Sequence, residues 1–231
     1  MKAEIKQEIR RLMDATVWDG FDYVGTLYNL VLPPLTKENI LYRNFADRVL
    51  HEWLVTTIGT ALDCTDYLID KCCLVLCGKQ GTGKSLLLEK LSIKPEWFDS
   101  DGNGDGFICE LNNEYDLSFD PIQRLYEKAA NSWNDTAFAY STNTHSIRDT
   151  PCVCTMPLAV INCDMDAKQI VNTCSEDFVL QLWKQVAFEV FGWPNASAHK
   201  GEKDKYDSLL EAVQELDAAA KKAIRQMNFR A

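Results

Sequence analysis

From Cys72 to Ser85 the chain reads Cys-Cys-Leu-Val-Leu-Cys-Gly-Lys-Gln-Gly-Thr-Gly-Lys-Ser. The first six residues form an unbroken apolar run, as in a strand buried on both faces of a sheet. A glycine-rich loop follows at once and matches G-x-x-x-x-G-K-[ST] in full, from Gly78 to Ser85. Glycines let consecutive backbone N–H groups converge on phosphate oxygens, and the N-terminus of a following helix adds a favourable dipole. Residues 86–91 supply that helix as an apolar segment, so strand, loop and helix come in the order the motif requires. Lys84 is expected to neutralise β- and γ-phosphates and Ser85 to ligate Mg²⁺. Gly78, Gln80, Gly81, Thr82, Gly83 and Leu86 are expected to complete the nucleotide-binding loop. The chain has no guanine-reading N-K-x-D tetrapeptide, which favours ATP over GTP.

Such a loop needs a carboxylate on a neighbouring strand to set the Mg²⁺ shell and activate water. Glu110, in Phe107-Ile108-Cys109-Glu110-Leu111, is the first candidate and Glu114 the second. A rival reading covers the same region. Asp101, Asn103, Asp105, Gly106 and Ile108 match the first half of an EF-hand calcium loop. Position twelve of that loop is Asn112 rather than the bidentate Glu.

Outward from the loop, helical spacing is read over residues 2–15 and 44–62, the latter with a stripe through Phe45, Val49, Trp53, Val55 and Ile58. Residues 21–31 are apolar and closed off by Pro33-Pro34. Residues 99–106 read as a loop; 107–111, 136–142 and 157–162 read as strands. Helices are predicted over 119–132, opened by Asp120-Pro121, over 176–191, and over 205–227 after a polar loop. Trp53, Trp97 and Trp183 are assigned to the core. The fold class is α/β: a mostly parallel sheet flanked by helices, with helical additions at both ends. The expected division is a helical region over 1–68, a P-loop core over 69–192, and a polar loop with a helix over 193–231.

The 231 residues carry a net charge of -10, so no overall basic footprint for nucleic acid is present. Nine cysteines with no apolar leader in Met1–Arg11 predict reduced, structural thiols and a cytoplasmic protein. No apolar run reaches membrane-spanning length.

The run Leu76–Ser85, followed by Pro95-Glu96-Trp97-Phe98, resembles the virulence-associated protein E family, P-loop ATPases of phages and mobile elements related to superfamily 3 helicases. Phe107–Leu111 is similar to that family's acidic strand. Tyr140-Ser141-Thr142-Asn143 and Ile147-Arg148-Asp149-Thr150 are similar to its later motifs, and Gln181-Leu182-Trp183-Lys184 to one of its helices. The resemblance spans about residues 45–191. It implies an ATP-dependent, helicase-type module of DNA replication, with Asn143 sensing the γ-phosphate. It also implies a homo-oligomer, often a ring, acting on single-stranded or duplex DNA in the host cytoplasm. One departure stands out. The family carries an arginine pair where this chain has Cys152-Val153-Cys154-Thr155-Met156, which leaves Arg148 as the substitute. Arginine fingers contribute orders of magnitude in rate. A nucleotide binder without efficient turnover is therefore one alternative, and a small-molecule kinase, which uses the same loop, is the other.

Overall fold

The computed structural model describes residues 1–64, 73–100, 104–113, 136–142 and 158–193. Strand β1 (Cys73–Cys77) is buried along its whole length, as its unbroken apolar run predicts. It lies inside a five-stranded sheet with β2 (Phe98–Asp99), β3 (Ile108–Asn113), β4 (Ala137–Thr142) and β5 (Leu158–Asn162), in the order β2-β3-β4-β1-β5. Every pairing is parallel. The register sets Leu74 beside Ala139 and Ala159, and Ala139 beside Glu110. Parallel sheets need cover on both faces. Alternation turns Leu74 and Leu76 to one side and Val75 to the other, and all three are buried.

The helices are α1 (Ala3–Ala15), α2 (Tyr23–Val31), α3 (Ile40–Leu62), α4 (Lys84–Leu91), α5 (Ala167–Thr173) and α6 (Glu176–Phe191). Local chemistry starts three of them. The side chains of Asp22, Asp166 and Ser175 accept from Gly25, Lys168 and Phe178 N–H and cap α2, α5 and α6. Helix α3 packs on β1, β4 and β5, and α6 packs on α1, α2, α3 and α4. One apolar cluster joins Ile9, Leu27, Trp53, Leu74, Leu88, Phe107 and Trp183, so the N-terminal helices and the sheet share a core. Polar ties run through it. Trp53 Nε1 donates to the Phe138 carbonyl (3.1 Å), and Trp183 Nε1 to the Leu91 carbonyl (2.8 Å) at the end of α4. None of the helices among the described residues is long and apolar enough to cross a membrane.

Several elements differ from the sequence reading. Helix α3 begins at Ile40 rather than residue 44, and Phe45 is 50% exposed. Val49, Trp53, Val55 and Ile58 of the expected stripe are buried, as are Arg43, Ala46, Leu50 and Thr57, so Phe45 is the one stripe residue left to the side. Residues 99–106 are not all loop: Pro95–Trp97 forms a 3₁₀ turn that feeds the edge strand β2. Two strand residues are too few to carry a period. Helix α5 had no sequence signal, because it is seven residues long and buries Ile170 alone. Strand β3 runs on to Asn113. The helices read over 119–132 and 205–227 lie outside the described residues, as do Asp101 and Asn103 of the segment resembling a calcium loop.

Candidate functional site

The glycine loop leaves β1 at a point where the chain's course divides. From β1 the next strand is β2 at the far edge; from the adjacent β4 the next is β5, on the other side of β1. Open parallel sheets hold ligands at such a reversal, outside the carboxyl ends of the strands. The base of the loop is pinned from both sides. Gly78 N–H donates to the Thr142 carbonyl of β4 (3.1 Å), and Cys163 N–H, just past β5, donates to the Cys77 carbonyl (2.7 Å).

Two glycines give the loop its course. Gly81 and Gly83 have φ of +78° and +96°, a region that side chains with a Cβ disfavour. At Gly83 the space is also closed, since a Cβ would stand 2.7 Å from Ile170 Cδ1 and 3.1 Å from Ala167 Cα of α5. Helix α5 therefore seats directly against the loop. Within the loop, the Thr82 hydroxyl donates to the Lys79 carbonyl at 3.0 Å.

Helix α4 starts at Lys84, so the two residues expected to meet phosphate and metal sit on its first turn. Lys84 is buried and its ammonium curls back over the loop, donating to the carbonyls of Gly78 (2.9 Å) and Lys79 (2.8 Å). Burial lowers its pKa, and the nearby Glu110 carboxylate opposes that shift. Ser85 faces the sheet. Its hydroxyl donates to Glu110 Oε1 at 2.9 Å and lies 3.4 Å from Ser141 Oγ.

Glu110 is a buried carboxyl on β3, separated from β1 by β4. Burial pushes its pKa up. The hydroxyls of Ser141 and Ser85 and the Lys84 charge draw it back down. A buried carboxyl is tolerated only when it is bonded or paired, and here the Ser85 hydroxyl bonds it while the Lys84 charge acts on it from nearby. The thiols beside the loop are unreactive by contrast. Burial raises Cys77 to about 11 and Cys163 to about 12, far above the range of nucleophilic thiolates.

The structure thus brings together Gly78, Gly81, Gly83, Lys84, Ser85 and Glu110 at one end of the sheet. Gln80, Thr82 and Leu86 lie on the same loop and helix. Asn143, Arg148 and Glu114 lie outside the described residues. Ser141 went unremarked as a site residue by sequence reasoning. The available signal was a hydroxyl in an otherwise apolar strand, one residue before Thr142. A separate cleft of about 530 Å³, lined by Trp18, Asp22, Tyr28, His51, Gln185 and Glu189 among others, shares no residue with the loop.

The donor set suits a phosphate-bound divalent cation: a hydroxyl and a carboxylate, both oxygen ligands, beside a cationic side chain. Neither protein-family models nor curated proteins match this chain.

Proposed function

We propose that this chain is an ATPase built on a P-loop, of the kind found in the virulence-associated protein E group of phage and mobile-element replication proteins. The observation that carries the reading is the hydrogen bond from Ser85 to Glu110. It joins the residue just after the loop lysine to a buried acid from a different strand, at the end of the sheet where ligands bind.

In this reading the backbone N–H groups of Gly81, Thr82 and Gly83 face phosphate oxygens, and Lys84 leaves the Gly78 and Lys79 carbonyls to neutralise the β- and γ-phosphates. Ser85 and Glu110 would hold Mg²⁺, which would supply positive charge to offset that of the phosphates. Glu110 accepts hydrogen bonds from water placed against the γ-phosphate. Water replaces ADP on the phosphorus, giving ADP and inorganic phosphate with a proton released to solvent. Asn143 senses the γ-phosphate, and Arg148 stands in for the family's arginine pair. A homo-oligomer acting on DNA belongs to the same proposal.

One feature of the sequence favours a second reading, a nucleotide-binding protein with slow turnover. Cys152–Met156 holds no arginine, and transition-state charge on the γ-phosphoryl group then lacks its usual partner.

The test is ATP titration and phosphate release by wild type and Lys84→Ala, with and without DNA, alongside particle mass. Wild type should bind ATP in the micromolar range and Lys84→Ala should lose both binding and turnover. Equal binding by the two proteins would sink the proposal. Binding with negligible turnover under every condition selects the second reading.

A further inference from the structure

We propose that Ser141 is a positioning residue of this site, holding the Glu110 carboxylate and the Ser85 hydroxyl in the mutual geometry that a divalent cation requires. The inference rests on the ATPase reading above and concerns a residue which that reading does not use.

The argument begins with strand register. Ser141 lies on β4, which separates the loop strand β1 from the acid strand β3. It pairs with Leu76 on one side and Asn112 on the other, while Glu110 pairs with Ala139. Positions two apart on a strand share a face, so Ser141 and Glu110 point to the same side of the sheet. Leu74 and Leu76 also point there and join the cluster that holds Leu87 and Leu88 of α4. Ser141 is therefore a hydroxyl on a face that is otherwise packed with leucine and alanine, and it is buried. A buried hydroxyl is destabilising unless it is bonded. Its partner is the Ser85 hydroxyl, which itself donates to Glu110.

Proton accounting gives the roles. A carboxylate only accepts, and each serine hydroxyl has one proton to give. Ser85 gives its proton to Glu110. Ser85 has no second proton for Ser141, so Ser141 donates to the Ser85 oxygen, 3.4 Å away. Anchored from β4, the Ser85 hydroxyl on α4 holds the Glu110 carboxylate of β3 against turning about its terminal bond. With Ser141 removed, the Ser85 hydroxyl would lose that anchor, and a cation would have to order both it and the carboxylate as it binds.

Partners that orient metal ligands typically contribute 10–100-fold in metal affinity or activity. The experiment measures Mg²⁺ affinity by calorimetry on the full chain saturated with a non-hydrolysable ATP analogue. Mn²⁺ is followed by electron paramagnetic resonance as a second probe. Wild type, Ser141→Ala and Ser141→Thr are compared, each with its thermal midpoint, its metal-free nucleotide affinity and its kcat. Ser141→Ala should bind metal about 10–100-fold more weakly, with metal-free nucleotide affinity within about two-fold of wild type. Its kcat should fall and be partly recovered by raising Mg²⁺. Ser141→Thr, which restores the hydroxyl, should recover metal affinity.

Unchanged metal affinity in Ser141→Ala overturns the inference, and leaves the ATPase reading standing if wild type still hydrolyses ATP. Equal losses of metal-free nucleotide affinity and metal affinity also overturn it, because that pattern marks a packing role. This criterion holds even if the Thr variant is too crowded to fold. A wild type that binds no ATP overturns both readings together.

Discussion

Ser85 and Glu110 are 25 residues apart in sequence and meet at 2.9 Å, one on the first turn of α4 and the other on β3. The contact crosses the intervening strand β4, so it forms only if the sheet order is correct. Glu110 also sits where burial raises its pKa above the ordinary 4.5. A carboxyl raised in the folded state adds most stability below its unfolded value. That contribution is lost as pH climbs through the folded value.

Replacing Glu110 by Gln, which mimics the neutral form, should therefore stabilise the ligand-free protein at pH 8. The gain should fade on titration to pH 4. A gain of about 1 kcal/mol would appear as roughly 2–4 °C in Tm for a chain of this size. Turnover should fall by about a hundred-fold or more. Melting curves at both pH values read the first effect and phosphate release the second. A pH-independent Tm difference would count against the assignment.

Gly81 and Gly83 should respond differently to alanine. Both have positive φ, but an added Cβ meets nothing within 4 Å at Gly81 and meets α5 at Gly83. Gly81→Ala should cost only backbone strain, about 1–2 kcal/mol. Gly83→Ala should cost about 1–3 kcal/mol more, because Ala167 and Ile170 must shift. Urea denaturation of the two variants gives the comparison, and equal midpoints would refute it.

Gln185 links α6 to the start of α2. Its side-chain oxygen accepts from Tyr23 N–H (2.8 Å) and Val24 N–H (3.0 Å). Gln185→Ala leaves two buried donors without that acceptor, at about 1–3 kcal/mol each. The loss should show in thermal melts, while ATP affinity changes little because Gln185 is remote from the loop. A variant as stable as wild type would mean that water replaces the side chain.

Trp183 ties α6 to the last residue of α4 through the Leu91 carbonyl and packs edge-on against Phe107, with ring centroids 5.2 Å apart. Trp183→Phe keeps an aromatic ring but removes the donor. It should destabilise by about 1–3 kcal/mol, measured as a lower urea midpoint.

The features that the sequence revealed are those written locally. The β1 run, the glycine loop, the start of α6 at Glu176 and the acid at Glu110 each depend on a short window. So does the core placement of Trp53, Trp97 and Trp183, all of which are buried. Strand order was hidden, since it depends on pairings between distant segments. Ser141 was hidden for the same reason. Its role exists only once β4 lies between β1 and β3 and alternation turns it to the face where Ser85 meets Glu110. Phe45 misled because it is spaced correctly from Val49 but lies beside the stripe that α3 buries. The short β2 and α5 left no periodic signature at all.

The core shared by the N-terminal helices and the sheet bears on how such a site can be cut, moved or recombined. Trp53 reaches the backbone of β4, the Tyr42 hydroxyl donates to the Asn162 carbonyl (3.1 Å), and the Val31 carbonyl accepts from Asp164 N–H (2.9 Å). A fragment beginning at residue 69 would lose all three and leave the apolar surface beneath α3 bare to water. The glycine loop is short enough to copy into another protein, but its support is spread over most of residues 1–193. What evolution or an engineer can transplant is the whole assembly.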